Sequence, residues 1–409
     1  STFTNAYFET ISGLTTTGVS VLTDVEILPR SILFWRSLTQ WLGGMGIITM
    51  AFALFPAFGI SAYQMFRCEL PGAAAERMPP HLKQILKILW GVYALLTIVQ
   101  SLLMWFGGMS LCDSFCHAFG TMASGGFSTR NAGLSSWNSP YLEWVTIIFM
   151  FIAGSNFVLH YNLIYRQNFR AYGKDREFKF YVSVLVTAII LILFVLLLFN
   201  KPESVQATET SVGLESVRTF TERAGQYHDV VRGVIFQVVS FTSTTGFASK
   251  SLSDSPSFIK NLLILLLFLG GCAGSTSGGL KMMRILVLFK FGWREVKTII
   301  QPRLIAPVKV GELALEEKLV AGIVGFVVLF AILFVGMTLV MSLIVQDTGL
   351  AITTVAGAIC NQGYGLPGLT IDYADLPATG KWVLALCMLI GRLELFAVII
   401  ALAPSSWRK

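Results

Sequence analysis

Four glycines recur along this chain, each at the end of a short, half-helical stretch of small residues. Neighbouring members lie 108, 120 and 117 residues apart: Gly18, Gly126, Gly246 and Gly363. Two residues before each glycine is a side chain that can offer an oxygen atom: Thr16, Ser124, Thr244 and Asn361. Six residues before each glycine the residue is small: Ser12, Gly120, Ser240 and Gly357. This period is too long for a solenoid repeat and fits two membrane helices joined by a loop.

The chemistry that these segments predict is the binding of a dehydrated cation. Glycine adopts a positive φ with little strain, so the carbonyl groups of such a loop can face one side. Four loops around one axis would form rings of carbonyl oxygens that replace the hydration shell of the ion. A single glycine of this type more commonly marks a turn or a close helix crossing, but four in the same register favour a filter. The predicted filter residues are Thr16, Thr17, Gly18, Val19, Ser124, Gly125, Gly126, Phe127, Thr244, Thr245, Gly246, Phe247, Asn361, Gln362, Gly363 and Tyr364.

The elements that must position these loops are short helices between long ones. The stretches before the glycines are too short to cross a bilayer, which requires about 20 residues. We predict re-entrant half-helices there, whose partly negative carboxyl ends face the axis, at about residues 5–15, 113–122, 229–241 and 349–359. Longer apolar runs predict spanning helices at residues 85–106, 144–164, 180–199, 258–269 with a continuation past 279, 319–345 and 382–402.

The predicted fold is an all-α integral membrane protein with four pseudo-repeated helix–pore-loop–helix units around a central ion pore. We expect the units at residues 1–70, 71–172, 173–300 and 301–409, with the outer helix of the first unit missing. Hydrophobic residues make up 54% of the chain and charged residues only 13%, whereas a soluble domain is about 25% charged. Composition therefore supports the membrane class independently of the glycine pattern.

Charge placement predicts the orientation. The net charge is +7, and lysines and arginines concentrate in linkers on one side of the predicted spans, whereas acidic residues lie in the opposite loops. Because cytoplasmic loops are rich in Lys and Arg, the filter loops are predicted to open to the outside. Topology and contact with membrane lipid headgroups account for the positive charge, so nucleic-acid binding is not expected.

A glycine-rich interruption lies in the middle of a later apolar run. Residues 270–279 contain five glycines, and each glycine costs a helix about 1 kcal/mol relative to alanine. We expect this segment to unwind into an intramembrane loop that lines an aqueous cavity and gates the pore. A close-packed helix crossing is the alternative. The predicted gate residues are Gly270, Gly271, Gly274, Ser275, Thr276, Ser277, Gly278, Gly279 and Arg392.

Arg392 belongs to this prediction because an ionisable residue within a span is a functional candidate. A fixed positive charge below the filter would oppose cations, and it can pair with Glu394 or with carbonyl groups of the glycine-rich segment. Glu394 is only two residues away on a different helix face, which disfavours a direct pair. The alternative is a structural ion pair with Glu9 or with another helix end.

Other classes of function find little support in the sequence. A membrane-embedded hydrolase would use Ser275 or Ser277 as its nucleophile, but no histidine or acid stands at a recognisable spacing from either, so no enzyme activity is expected. The sequence contains neither a nucleotide-binding loop nor a zinc-type cluster, and no cofactor is expected apart from the transported ion. A filterless secondary transporter with parallel repeats, coupled to H⁺ or Na⁺, remains the alternative.

Three further segments resemble bacterial Trk-type potassium transporters of the Trk/Ktr/HKT superfamily, with details closest to its TrkH/TrkG branch. Residues 35–47 (WRSLTQWLGGMGI) resemble the first inner helix of the family, residues 270–281 (GGCAGSTSGGLK) the break in the third, and residues 391–394 (GRLE) the last. Together with the filter segments, the resemblance covers nearly the whole chain. The family has an extra helical hairpin and a first outer helix before the first half-helix, and this sequence lacks both.

The resemblance implies potassium uptake across the bacterial inner membrane by a multi-pass protein. Related plant sodium transporters have serine in place of the first filter glycine, so Gly18 implies K⁺, with Rb⁺ also accepted and Na⁺ only weakly. A homodimer and a cytosolic nucleotide-binding ring of the TrkA type are implied as well. The basic linkers at residues 166–179 and 281–309 would suit docking of that ring, and plain topology would explain them equally. The fourth filter loop has Asn-Gln before its glycine, so selectivity is expected to be less strict than in a symmetric pore.

Overall fold

The computed structural model describes residues 2–54, 82–199, 215–248, 255–302, 307–311, 313–363 and 371–395. The described helices are α1 (Phe3–Leu14), α2 (Arg30–Leu54), α3 (Leu82–Phe106), α4 (Leu111–Met122), α5 (Pro140–Ala153), α6 (Phe157–Ile164), α7 (Arg170–Lys174), α8 (Arg176–Phe199), α9 (Glu215–Thr242), α10 (Ser257–Leu269), α11 (Met282–Ile300), α12 (Glu317–Val345), α13 (Thr348–Ile359) and α14 (Ala378–Leu393). A 3₁₀ turn (Gly133–Trp137) and a small antiparallel pair, β1 (Lys309–Val310) and β2 (Leu313–Ala314), complete the described elements.

Three described helices are long and apolar enough to cross a membrane: Leu86–Phe106, Arg176–Leu198 and Glu317–Val345. Their apolar character and their length beyond about 20 residues fit the hydrocarbon thickness. The short helices that precede the glycine loops are capped by polar side chains in two cases. The Ser110 hydroxyl accepts from the Asp113 amide, and Asp347 accepts from the Leu350 amide at 2.9 Å. Such caps satisfy amides that the first helical turn leaves free, so these helices begin where the sequence supplies the cap.

The four helices that precede the glycine loops are here called the short helices: α1, α4 and α13 have 12 residues each, and α9 extends this element to 28. They pack between the other helices in a cyclic order. Helix α1 contacts α2 and α14, α4 contacts α2 and α3, α9 contacts α5 and α10, and α13 contacts α10, α12 and α14. Each short helix therefore touches an inner helix of the preceding unit as well as helices of its own unit. Because α14 at the carboxyl end of the chain contacts α1 at its beginning, the arrangement closes into a ring.

Two predicted elements differ from the structure. The third half-helix was expected at residues 229–241, whereas α9 begins at Glu215. No proline lies between Glu215 and Asp229 to interrupt the helix. The run at residues 144–164 was expected to be one span, but the structure divides it into α5 and α6, bent by 104°. At this bend the Asn156 side chain caps α6 by accepting from the Val158 amide at 2.8 Å. Tyr364 and residues 396–402 of the last predicted span lie outside the described residues.

Candidate cation filter and intramembrane barrier

The four glycine loops share one backbone conformation. The residue two before each glycine has a left-handed φ of 54–55°: Thr16, Ser124, Thr244 and Asn361. The amide of the next residue donates to the carbonyl six residues before the glycine, over 2.8–2.9 Å: Thr17 to Ser12, Gly125 to Gly120, Thr245 to Ser240, and Gln362 to Gly357. A left-handed φ is uncommon for residues other than glycine, so four at equivalent positions show a common loop geometry rather than four unrelated turns.

The glycines themselves contact neighbouring loops. Three of them have a positive φ of 74–85°: Gly18, Gly126 and Gly246. A Cβ atom on a filter glycine would overlap backbone of the following loop around the ring, including the carbonyl oxygen just before its glycine: Gly18 with Gly125, Gly126 with Thr245, and Gly363 with Thr17. Glycine is therefore required by contact with the next loop as well as by backbone conformation, and these contacts place the loops edge to edge around one axis.

The small residue six positions before each glycine lies against the strand that leaves the filter. Ser12 Oγ donates to the Val19 carbonyl at 2.5 Å, and Ser240 Oγ donates to the Phe247 carbonyl at 2.7 Å. The other two loops have glycine at this place, where a Cβ would meet filter backbone at 2.7–3.0 Å: Gly120 and Gly357. The strand leaving the filter thus explains the small residue in the first three units, and the carbonyl of Gln362, just before the filter glycine, explains it in the fourth.

Gln40 of α2 fixes the second loop and was not predicted as a site residue. Its Nε2 donates to the Gly125 carbonyl at 2.8 Å, and its Oε1 accepts from the Phe127 amide at 3.1 Å. The side chain is fully buried and bonds on both sides of Gly126. A glutamine inside a mostly apolar helix signals that a polar partner is needed, but the sequence does not indicate which one.

Other side chains tie the first loop to its surroundings. Asn361 Nδ2 donates to Thr17 Oγ1 at 3.1 Å and to the Met388 carbonyl at 2.8 Å, which links the fourth and first loops. Glu9 of α1 pairs with Arg36 at 2.6 Å. It also accepts from the amide of Val21, which follows the first filter glycine, at 3.0 Å. Glu9 therefore holds the strand that follows Gly18, and its partner is not Arg392, so the predicted alternative of a pair between Glu9 and Arg392 is wrong.

Residues 270–281 interrupt the third inner helix. Helix α10 ends at Leu269 and α11 begins at Met282, and the segment between them, here named the break loop, is not helical. Gly270, Gly274 and Gly279 have positive φ values of 69–76°. A continuous α-helix cannot include such residues at low cost, which accounts for the interruption.

The break loop packs directly on the inner ends of three filter loops. Thr276 Oγ1 lies 2.9 Å from Ser124 Oγ, in the second loop. The Gly278 amide donates to Thr244 Oγ1, in the third loop, at 2.7 Å. A Cβ on Gly278 would overlap the Cys360 carbonyl at the end of α13. Two of the four residues with left-handed φ thus bond to the break loop through their side chains, which places this loop directly behind the filter loops.

Arg392 joins the break loop to the first unit. Its Nη1 donates to the Thr276 carbonyl at 2.8 Å, and its Nη2 donates to the carbonyls of Gly43 and Gly44 at 3.0 and 3.3 Å. The residue is only 5% exposed. Carbonyl groups of the glycine-rich segment were among its predicted partners, and the structure shows this contact.

Glu394, the other predicted partner of Arg392, pairs instead with cations at the end of the break. It lies 3.0 Å from Lys281 and 2.7 Å from Arg284. These two ion pairs hold the start of α11 against the end of α14. The acceptors of Arg392 described above are all neutral carbonyl groups.

Arg392 also occupies a special place in the fourfold pattern. A Cβ on Gly43 or on Gly391 would overlap the carbonyl four residues before the filter glycine of its own unit, so these two glycines are equivalent. The next residue is Gly44 in the first unit, where a Cβ would lie 2.9 Å from the Ala123 Cα, and Arg392 in the fourth. The fourth unit thus replaces a tight glycine contact with a long cation that reaches across the ring.

Each of the four loops in the ring follows one of the short helices and packs among long apolar helices. This arrangement defines an all-α, multi-pass membrane protein of the pore-loop class. Residues 1–409 match the family described as "TrkH: Cation transport protein", and the chain belongs to that family. It is accordingly a multi-pass transport protein of the bacterial inner membrane and not an enzyme.

Named relatives agree with this assignment. The chain is 36% identical over 409 residues to the Trk system potassium uptake protein TrkH of Escherichia coli strain K12, covering all of this chain and 80% of that protein. It is 30% identical over 408 residues to TrkG of the same strain, covering 79% of that protein. The crystal structure of the potassium transporter TrkH from Vibrio parahaemolyticus superimposes with a TM-score of 0.85 at 35% identity, covering all of this chain and 80% of that one.

Proposed function

We propose that this protein takes up K⁺ through a filter formed by the four glycine loops. The proposed filter residues are Thr16, Thr17, Gly18, Val19, Ser124, Gly125, Gly126, Phe127, Thr244, Thr245, Gly246, Phe247, Asn361, Gln362, Gly363 and, outside the described residues, Tyr364. Support comes chiefly from the contacts in which Gly18, Gly126 and Gly363 each lie against a carbonyl of the next loop. Rings of carbonyl oxygens are the ligand set that replaces the hydration of K⁺, and the names of the relatives specify potassium.

Electrostatics of the short helices support a cation rather than an anion. Each of α1, α4, α9 and α13 ends immediately before its filter loop. The carboxyl end of a helix has a partial negative charge, and four such ends meet at the loops. Rb⁺, which is close to K⁺ in size, should pass as well, and Na⁺ only weakly.

The break loop and Arg392 form the proposed gate. The proposed gate residues are Gly270, Gly271, Gly274, Ser275, Thr276, Ser277, Gly278, Gly279 and Arg392. Contacts of Thr276 and Gly278 with the filter loops place the break loop directly behind them, and the buried guanidinium adds a positive charge on the proposed route of the ion. Conduction then requires the break loop to move.

The wider assembly is also a proposal. The four units correspond to residues 1–70, 71–172, 173–300 and 301–409. A homodimer regulated by a cytosolic nucleotide-binding ring of the TrkA type would suit a basic surface, and α11 supplies one with Lys290, Arg294 and Lys297. Membrane lipid headgroups are the other proposed contact of these side chains.

Uptake of Rb⁺ by the purified protein in proteoliposomes tests the filter proposal. In the parent protein, K⁺ should inhibit Rb⁺ uptake more strongly than Na⁺ does. Gly363→Ser should abolish this difference, because the serine side chain would overlap the first loop. Gly336→Ser in α12 is the matched control, since a Cβ there meets nothing within 4 Å. Equal competition profiles for the two variants would contradict the filter.

A second arm of the same experiment addresses the alternative of a filterless, coupled transporter. At zero membrane potential, a filter and gate alone predict Rb⁺ uptake that a pH or Na⁺ gradient does not accelerate. Two results together would favour the secondary transporter: Rb⁺ uptake that depends on either gradient, and competition by K⁺ and Na⁺ that is the same in Gly363→Ser as in the parent protein.

A further inference from the structure

Glu177, in the first turn of α8, contacts the break loop at residues other than those that bond to the filter loops. Its Oε1 accepts from the Ala273 amide at 2.6 Å and from the Met283 amide at 3.0 Å. Ala273 lies near the beginning of the break loop, and Met283 lies in the first turn of α11, just after its end. One carboxylate oxygen therefore binds the chain where it enters the break and where it resumes as a helix.

The burial of this carboxylate indicates a role beyond packing. Glu177 is 1% exposed, and its Oε2 has no hydrogen-bond partner among the described residues. Burying a carboxylate is costly unless its lone pairs are satisfied, and an apolar side chain of the same size would fill the site at less cost. What Glu177 provides instead is a pair of hydrogen bonds to backbone amides.

Backbone amides make this contact different from the other acidic contact at the break. Glu394 binds the side chains of Lys281 and Arg284, which are long and can follow a moving backbone. The amides of Ala273 and Met283 are rigid parts of the chain. The break loop cannot leave Ser124 and Thr244 without separating at least one of these amides from Glu177.

We propose that Glu177 is a positioning residue of the gate, and that its carboxylate holds the break loop in the position that closes the filter. This inference rests on the proposed function of the break loop as the barrier. Permeation would then require rupture of a bond to Glu177, so Glu177 sets how frequently the barrier opens and leaves ion selection to the glycine loops.

Two substitutions of similar size separate the hydrogen bonds from packing. Glu177→Gln keeps an Oε1 acceptor for both amides, whereas Glu177→Leu fills the site without any acceptor. In proteoliposomes, Glu177→Leu should raise maximal Rb⁺ uptake about tenfold, the value of roughly one hydrogen bond. Its preference for K⁺ over Na⁺ should not change. Glu177→Gln should remain within about twofold of the parent protein.

Asp175→Asn is the matched control for charge. Asp175 lies two residues away and caps α8 by accepting from the Phe178 amide at 2.8 Å, a cap that asparagine retains. This variant removes a neighbouring negative charge without touching the break loop, so its uptake should match that of the parent. Faster uptake in Asp175→Asn or in Glu177→Gln would show that charge alone controls the barrier and would overturn the inference.

Loop movement can be measured without transport through a native thiol. Cys272 lies in the break loop and is 1% exposed. The rate of its alkylation, measured by mass spectrometry with the buried Cys116 and Cys387 as internal references, should increase in Glu177→Leu and in neither of the other variants. Equal acceleration at all three thiols would indicate general unfolding. Parent-like uptake and alkylation in a folded Glu177→Leu protein would refute the role of Glu177.

Deleting two glycines of the break loop separates this inference from the gate proposal itself. If the shortened loop conducts faster but Glu177→Leu does not, only the inference about Glu177 is wrong. If the shortened loop folds and conducts no faster, the break loop is not the barrier, whatever Glu177 does.

Discussion

Replacing Gly126 with alanine tests whether the glycine ring selects the ion. Gly126 has φ 74°, and a Cβ there would overlap the Thr245 carbonyl oxygen. Two separate costs follow from these facts. Alanine in a left-handed conformation is strained, and the carbonyl of the third loop must move away from the added methyl group.

The size of each cost can be worked out from the structure. The left-handed φ costs alanine about 1–2 kcal/mol. Restoring van der Waals contact requires a shift of about 1 Å between two backbone segments, and overpacking of this type costs about 1–3 kcal/mol. The sum, about 2–5 kcal/mol, would lower the population of the native ring by a factor of about 30 or more.

Gly133→Ala provides the matched control for backbone strain. Gly133 has φ 61°, and a Cβ there would meet nothing within 4 Å. Its substitution should cost only about 1–2 kcal/mol in thermal stability and leave transport unchanged. Comparing the two variants therefore isolates the contact with Thr245 from the conformational cost that both share.

The assay is Rb⁺ uptake in proteoliposomes with K⁺ or Na⁺ as competitor. Gly126→Ala should raise the concentration of K⁺ that halves Rb⁺ uptake at least tenfold, a change of about 1.4 kcal/mol, and should let Na⁺ compete. Size-exclusion chromatography and Tm confirm that the variant is folded. If Gly126→Ala and Gly133→Ala show the same competition by K⁺ and Na⁺, the glycine ring does not select the ion.

Two further substitutions address the barrier and the support of the filter. Arg392→Gln should raise Rb⁺ uptake about tenfold, because a unit charge about 10 Å from the ion opposes it by about 2 kcal/mol at an effective dielectric constant of about 20. Arg392→Lys should restore most of the barrier, and equal uptake in both variants would contradict a charge effect. Gln40→Leu removes the partners of the Gly125 carbonyl and the Phe127 amide, which costs about 1–3 kcal/mol for each group left unpaired. We expect a lower Tm and stronger competition by Na⁺, and an unchanged competition profile would show that Gln40 only fills space.

Much of the fold was predictable because its signals are local. Spans follow from the length of apolar runs, short helices from stretches that cannot cross a bilayer, and the break in the third inner helix from five glycines in one segment. The fourfold register of the loops was also visible, since it depends on identical spacing to Gly18, Gly126, Gly246 and Gly363. The filter and gate roles of these residues remain predictions that transport measurements must test.

The errors have a long-range cause. The bend between α5 and α6 was missed because its stabilising contact comes from another unit: the Cys272 amide donates to the Gly154 carbonyl at 2.8 Å. The alternative of an ion pair between Glu9 and Arg392 was wrong for a similar reason, because the packing of α1 on α2 brings Arg36 to Glu9. Neither contact has a signal in the local sequence.

The sequence by itself determined where the chain can bend, span and expose carbonyl groups, because glycine content, apolar length and polar caps act within a few residues. Only the tertiary structure decided the order of the loops around the ring and the partners of its buried polar groups. Gln40 bonds to the second loop, Glu177 to both ends of the break, and Arg392 to two other units. A buried polar side chain requires a partner wherever it lies, but the chain must fold before any particular partner is within reach.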